Sequence, residues 1–166
     1  RFTRRVEALH IGDPLSEETD VGPMIDEAAA ARTERWIGEA VREGAKVLAG
    51  GRRDRTLFEP TILVNAASGS KVVREEAFAP LVVLFPYDTF EEGLGLVNDS
   101  RFGLQAGVFT RDLGKAFLAY NRLDAGGVII NDVPTFRTRA GDPASGQRGS
   151  SSRCPVGTLG GRRGGE

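Results

Sequence analysis

Residues able to do covalent, acid–base or metal chemistry are few in this sequence and lie far apart. Cys154 is the only thiol and His10 the only histidine. A nucleophilic cysteine needs a neighbouring base to become a thiolate, and Cys154 stands in a Gly- and Arg-rich stretch with no histidine near it. His10 follows an apolar helix face and lacks the companions of a metal or catalytic set, so it reads as a surface or cap residue. The acids Glu17, Glu18 and Asp20 have no apolar pocket to split their titrations and read as solvated loop charge. No metal site is expected. Gly157 to Gly165 is low complexity rather than a phosphate-cradling fingerprint, because no strand precedes it. By spacing alone, Glu76 is an ordinary surface acid, and Phe78 and Phe136 are ordinary packing aromatics.

Composition narrows the field further. The 166 residues are 40 % hydrophobic with a formal charge of -1, which fits one globular unit and gives no global attraction to nucleic acid or an anionic membrane. A single cysteine excludes an intrachain disulfide and fits a reducing cytoplasm. The longest apolar run, Leu81 to Phe85, falls far short of the ~20 residues that a membrane-spanning helix needs. The chain opens on Arg1 without a leader pattern, and Phe2, Val6 and Leu9 fall at helical spacing, as if an interior helix had been entered partway.

The elements that must position any site follow from periodicity and punctuation. Glycines and prolines between Gly12 and Pro23 mark a connecting loop. Asp26 is placed to cap a helix over Glu27 to Glu43 whose apolar face includes Ile37, Ala40 and Val41, with Trp36 beside it and Gly44 as its stop. Lys46-Val47-Leu48 and Thr61 to Val64 read as two strands joined by a polar turn, with Pro60 at a strand start. Leu81 to Phe85 is apolar throughout, which predicts a strand covered on both faces. Thr89 and Glu92 have capping-box spacing for a helix to about Asn98. Ala106 to Phe109 is the next strand. Asp112 then caps a helix with Ala116, Phe117, Tyr120 and Leu123 on one face, and Val128 to Ile130 is the last strand. This alternation predicts an α/β fold in which helices cover the faces of a layered, mainly parallel sheet. From Thr138 onward Gly, Ser, Arg and Pro dominate, with five arginines against two acids for a net +3. A basic, disordered tail over 138–166 is expected there.

Several segments, taken in order, resemble a known family. They are Ile11-Gly12-Asp13-Pro14-Leu15 with Asp20-Val21-Gly22-Pro23-Met24-Ile25, then Gly44-Ala45-Lys46-Val47-Leu48-Ala49-Gly50-Gly51, then Phe58-Glu59-Pro60-Thr61-Ile62-Leu63. Glu75-Glu76-Ala77-Phe78-Ala79-Pro80, Asn98 to Leu104, Gly107 to Asp112 and Gly126 to Asn131 complete the series. Over residues 1–137 the chain resembles the aldehyde dehydrogenase superfamily downstream of its catalytic cysteine, as a partial catalytic domain. Two departures stand out. Ala79 replaces the glycine of the family's EExFGP motif, a residue used where φ is positive or a backbone comes close. After Arg137 the family's glycine-rich stretch and its subunit-pairing strand are not legible, a break that fits a frameshift or gene-end error.

The resemblance implies oxidation of an aldehyde to a carboxylate by NAD or NADP through a cysteine thioester. It places the catalytic Cys, the oxyanion-binding Asn, the general-base Glu and the dinucleotide-binding helix before residue 1, so the chain alone is expected to be inactive. Glu76 is then the acceptor for the hydroxyls of the ribose next to the nicotinamide, a task suited to a carboxylate with two acceptor oxygens. Phe78 packs beside the nicotinamide ring, and Phe136 lines the substrate tunnel. The residues that separate NAD from NADP lie elsewhere in the family, as does the strand through which it forms homo-oligomers. A piece of such a domain is expected to expose sheet edges and apolar surface. The competing reading is a non-catalytic half-domain scaffold whose basic tail binds nucleic acid or a protein partner, although a +3 tail without interleaved aromatics holds phosphates only weakly.

Overall fold

The computed structural model describes residues 1–134. The chain forms two compact units, residues 1–86 and 87 onward.

The first unit begins with helix α1, Phe2–Glu7, and the predicted loop, which is closed by a single bridge between Ile11 and Val21. Helix α2, Glu27–Arg42, starts where the Asp26 carboxylate accepts from the Ala29 amide at 2.6 Å, satisfying an amide that has no partner within the helix. Its buried stripe is Ala29, Ala30, Thr33, Ile37 and Ala40, mostly small side chains that let the helix lie close to its neighbours. Thr33 donates to the Ala29 carbonyl at 3.0 Å, which lets its hydroxyl be fully buried. Val41, expected on that face, is exposed, because it stands one residue past Ala40 and so about 100° around the helix. Gly44 stops the helix at φ +110°.

Strands β1 (Lys46–Ala49) and β4 (Thr61–Val64) pair antiparallel. The expected simple turn between them contains a small hairpin of its own, β2 (Arg53–Asp54) with β3 (Leu57–Phe58), which buries Phe58 completely. Arg53 reaches back to Glu34 of α2 at 2.7 Å. The one-turn helix α3, Lys71–Arg74, lies between β4 and β5 (Leu81–Leu84), and these two strands are parallel. Lys71 bonds Glu39 of α2 at 2.8 Å and holds that carboxyl below the ordinary glutamate range. The sheet order is β1-β4-β5, so β4 is central and β5 is an edge. This corrects the expectation that Leu81–Phe85 is covered on both faces. Within this chain β5 is half-buried, and Leu84 is 37 % exposed.

The second unit begins with α4, Phe90–Asn98, where Thr89 Oγ1 accepts from the Glu92 amide and the Glu92 carboxylate accepts from the Asp88 amide. Strand β6 (Gln105–Val108), helix α5 (Leu113–Arg122) and the parallel strand β7 (Gly127–Ile130) form one crossover unit. Asn98 clamps the end of α5, donating to the Arg122 carbonyl at 2.7 Å and accepting from the Asp124 amide at 2.9 Å. The core consists of Leu94, Ala106, Val108, Ala119 and Leu123. The buried face of α5 is therefore Ala116, Ala119 and Leu123, while Phe117 and Tyr120 are 60 % and 53 % exposed. Small residues face the packed side, as in α2, and the aromatics turn outward.

The α/β class holds: both crossover pairs, β4 with β5 and β6 with β7, are parallel, and the two hairpin-type pairs are antiparallel. Leu63 is fully buried in the central strand, so Leu63→Ala is expected to cost about 2–5 kcal/mol in urea unfolding of the chain. A cost under about 1 kcal/mol would show that β4 is not the centre of a packed core.

Candidate functional site

The loop Glu75–Pro80 joins α3 to β5 and is fastened at both ends. At its start the Glu75 amide donates to the Lys71 carbonyl at 2.9 Å. At its end the Thr61 amide donates to the Pro80 carbonyl at 2.8 Å, and the Leu81 amide donates to the Ala79 carbonyl at 2.7 Å. Proline at 80 also keeps Ala79 out of the helical region. Beside the loop is a concavity of about 420 Å³, lined by Val72 and Val73 of α3, by Leu81 and Val83 of β5, by Phe85, and by Glu75 through Ala79.

The structure brings Glu76 and Phe78 together on this concavity. Glu76 is exposed, and no described residue makes a hydrogen bond or ion pair with its carboxylate. Phe78 is 79 % exposed and holds φ +46°. Left-handed backbone costs a residue bearing a Cβ about 1–2 kcal/mol, and an exposed benzyl group recovers little of this by burial. Such outliers gather at sites where the conformation has a use. Ala79 behaves in the opposite way. It is absent from the positive-φ positions, is half-buried, and packs against the core cluster that contains Ala40, Phe58, Leu63 and Val72. The strained residue of the motif is thus Phe78, and the backbone dihedral at 79 does not require glycine.

His10 is exposed, with its amide donating to the Asp20 carboxylate at 2.9 Å and its ring Nδ1 3.6 Å from the same oxygen. It ties one end of the loop to the other. Among the described residues no group of three His, Cys, Asp or Glu could hold a metal ion, and no helix is long and apolar enough to cross a membrane. Phe136, Cys154 and the basic stretch on which the nucleic-acid reading rests lie outside the described residues. Helix α3 escapes the sequence reading. Its only signal is Ser70 ahead of the apolar pair Val72-Val73, too short a run to show helical period.

Comparison with known proteins defines the class first. The fold matches solved α/β oxidoreductases: aldehyde dehydrogenase 21 from Physcomitrella patens in complex with succinate, with a TM-score of 0.80 and 43 % identity over 82 % of this chain and 28 % of that one. Glyceraldehyde-3-phosphate dehydrogenase from Methanocaldococcus jannaschii complexed with NADP follows, with a TM-score of 0.78 and 37 % identity over 82 % of this chain and 30 % of that one. Among curated proteins, the 3-sulfolactaldehyde dehydrogenase of Priestia aryabhattai is 45 % identical over 137 residues, 82 % of this chain. The chain spans 29 % of the length of that relative. The profile of the aldehyde dehydrogenase family matches residues 1–161, past the break in texture after Arg137. The chain belongs to the aldehyde dehydrogenase family.

Strain at Phe78 can be separated from loss of its ring by comparing two truncations. Phe78→Gly is expected to be about 1 kcal/mol more stable than Phe78→Ala in urea unfolding, because only glycine takes a left-handed φ without penalty. Equal stability, or a more stable alanine variant, would show that residue 78 is not held there.

Proposed function

We propose that this chain is part of an NAD(P)-dependent aldehyde dehydrogenase that oxidises an aldehyde to a carboxylate through a cysteine thioester, and that it supplies one wall of the cofactor site. The observation that carries this reading is the pairing of an exposed, unpartnered carboxylate with a strained, exposed aromatic on one apolar concavity.

The residues present fit a nicotinamide riboside group. Glu76 has both carboxylate oxygens available as acceptors, matching the two hydroxyls of a ribose diol. Phe78 offers an apolar ring face next to a planar heterocycle and excludes water from that side. The valines of α3 and β5 furnish an apolar backing. When bound, the dinucleotide supplies the hydride acceptor of the reaction. These side chains bind and orient and do not exchange protons with the aldehyde, since no described residue combines an activated thiol with a base. The nucleophile, the oxyanion donor and the general base are assigned to sequence outside this chain, which by itself is inactive. Cys154, the only thiol in the chain, is not assigned that role.

Amide chemical-shift mapping of the chain with NAD and with NADP at millimolar concentration tests the reading. Shifts are expected at residues 75–79 and along β5, and Glu76→Ala is expected to weaken them about tenfold, the scale of one lost charge-assisted hydrogen-bonding partner. The absence of shifts at 75–79, or indifference to Glu76→Ala, would reject the cofactor wall. Aldehyde-dependent NADH or NADPH production by the chain alone would reject its inactivity.

A further inference from the structure

Helix α3 supplies Val72 and Val73 to the concavity and leads directly into Glu75 and Glu76. It is a single turn, and a helix that short does not hold itself together in water. Its placement must come from ties to the rest of the first unit. Val72 is buried in the core cluster that also contains Ala40 of α2, but apolar packing is non-directional and does not by itself fix the rotation of one turn about its axis. Lys71 supplies a directed tie. Its Nζ lies 2.8 Å from Oε2 of Glu39 on α2, and its carbonyl accepts from the Glu75 amide at 2.9 Å. One residue is thus bonded through its side chain to α2 and through its main chain to the first residue of the loop.

We propose that Lys71 is a positioning residue for the candidate site: its ion pair with Glu39 sets how α3 sits on α2, and its carbonyl passes that placement to Glu75 and so to the neighbouring Glu76. The pair is partly in water, with Lys71 54 % and Glu39 28 % exposed at the side chain. Such a pair adds little to global stability, so its loss is felt at α3 and the loop rather than throughout the unit. The hydrogen bond from Lys71 holds the Glu39 carboxyl below the ordinary glutamate range, and Arg42 and Arg35 of the same helix act in the same direction. With these two arginines beside it, Glu39 keeps cationic neighbours when the Lys71 ammonium is removed, and what is lost is the tie to α3. Lys71 does not touch the dinucleotide. It acts through Glu75 and Glu76, and any effect on cofactor binding rests on the cofactor-wall reading above.

The test uses the 166-residue chain with Lys71→Met, which keeps an unbranched stem without the charge, and Lys71→Arg, which keeps the charge. Two readouts need no cofactor. In a carboxyl-carbon titration the Glu39 midpoint is expected to rise in Lys71→Met and to stay low in Lys71→Arg. Hydrogen exchange of the Glu75 amide is expected to be about two- to fivefold faster in Lys71→Met, the scale of one exposed ion pair, and unchanged in Lys71→Arg, while the Leu63 amide of β4 exchanges as before in both. The third readout is NADP affinity from shift titration, expected to weaken about two- to fivefold in Lys71→Met in proportion to the lost competent population and to be retained in Lys71→Arg. An unchanged Glu39 midpoint or unchanged Glu75 exchange in Lys71→Met overturns the proposal, and so does equal loosening in both variants, which would make the shape of the side chain matter and not its charge. Acceleration at Leu63 as large as at Glu75, the mark of a merely structural residue, overturns it too, as does a loosened Glu75 with undiminished NADP affinity. If the unaltered chain shows no dinucleotide shifts at 75–79, the cofactor-wall reading fails, and the titration and exchange alone decide whether Lys71 sets the placement of α3.

Discussion

The hydrogen bond from the Thr61 amide to the Pro80 carbonyl is the constraint on which the site depends. It opens the parallel register of β4 and β5, in which Thr61 faces Leu81 and Val64 faces Leu84. Because β4 is central, with Thr61, Ile62 and Leu63 buried, its position is set by the strands paired on either side of it, β1 and β5. The bond carries that rigidity to the end of the motif. At the other end the loop is tied to α3, where the Glu75 amide donates to the Lys71 carbonyl. The Thr61 side chain adds to the first of these ties. Its hydroxyl donates to the Glu59 carbonyl at 2.7 Å and accepts from the Gly51 amide at 2.8 Å. Gly51 follows Gly50, where a Cβ would run into the Pro60 carbonyl oxygen, so the glycine pair and the proline are fitted to each other around β4.

Stability and function pull in different directions along this short stretch. α2 and α5 bury mainly alanines and single larger residues, and their caps at Asp26 and Asp112 satisfy helix amides with side chains. Those choices favour the folded chain. Phe78 does not: its backbone is strained and its ring is largely in solvent. Of the four described non-glycine residues with positive φ, the others being Arg55, Asn65 and Asn131, Phe78 is the one with an apolar side chain.

Much of this was legible in the sequence. Both major helix caps, the Gly44 stop, the capping box at Thr89 and the five longer strands were readable, because each is set by a local side chain or a period. The hairpin β2–β3 was missed because Arg53-Asp54 and Leu57-Phe58 are too short to show alternation, and its pairing depends on Phe58 reaching the core. The exposed face of α5 was misread because hydrophobicity alone ranks Phe117 and Tyr120 above Ala116 and Ala119, whereas close packing on β7 favours the smaller side chains. Glu76 and Phe78 were identified through motif resemblance and not through periodicity. The positive φ at Phe78, rather than at position 79, is a tertiary property that no local pattern encodes.

The central claim is that Glu76 and Phe78 face the nicotinamide end of a dinucleotide. Intermolecular nuclear Overhauser effects between the Phe78 ring protons and bound NADP, recorded on the chain with selectively labelled phenylalanine, test this most directly. Contacts from the Phe78 ring to the nicotinamide protons are the result that the account predicts. Contacts to the adenine protons alone, or none from Phe78 while other residues show them, would contradict it.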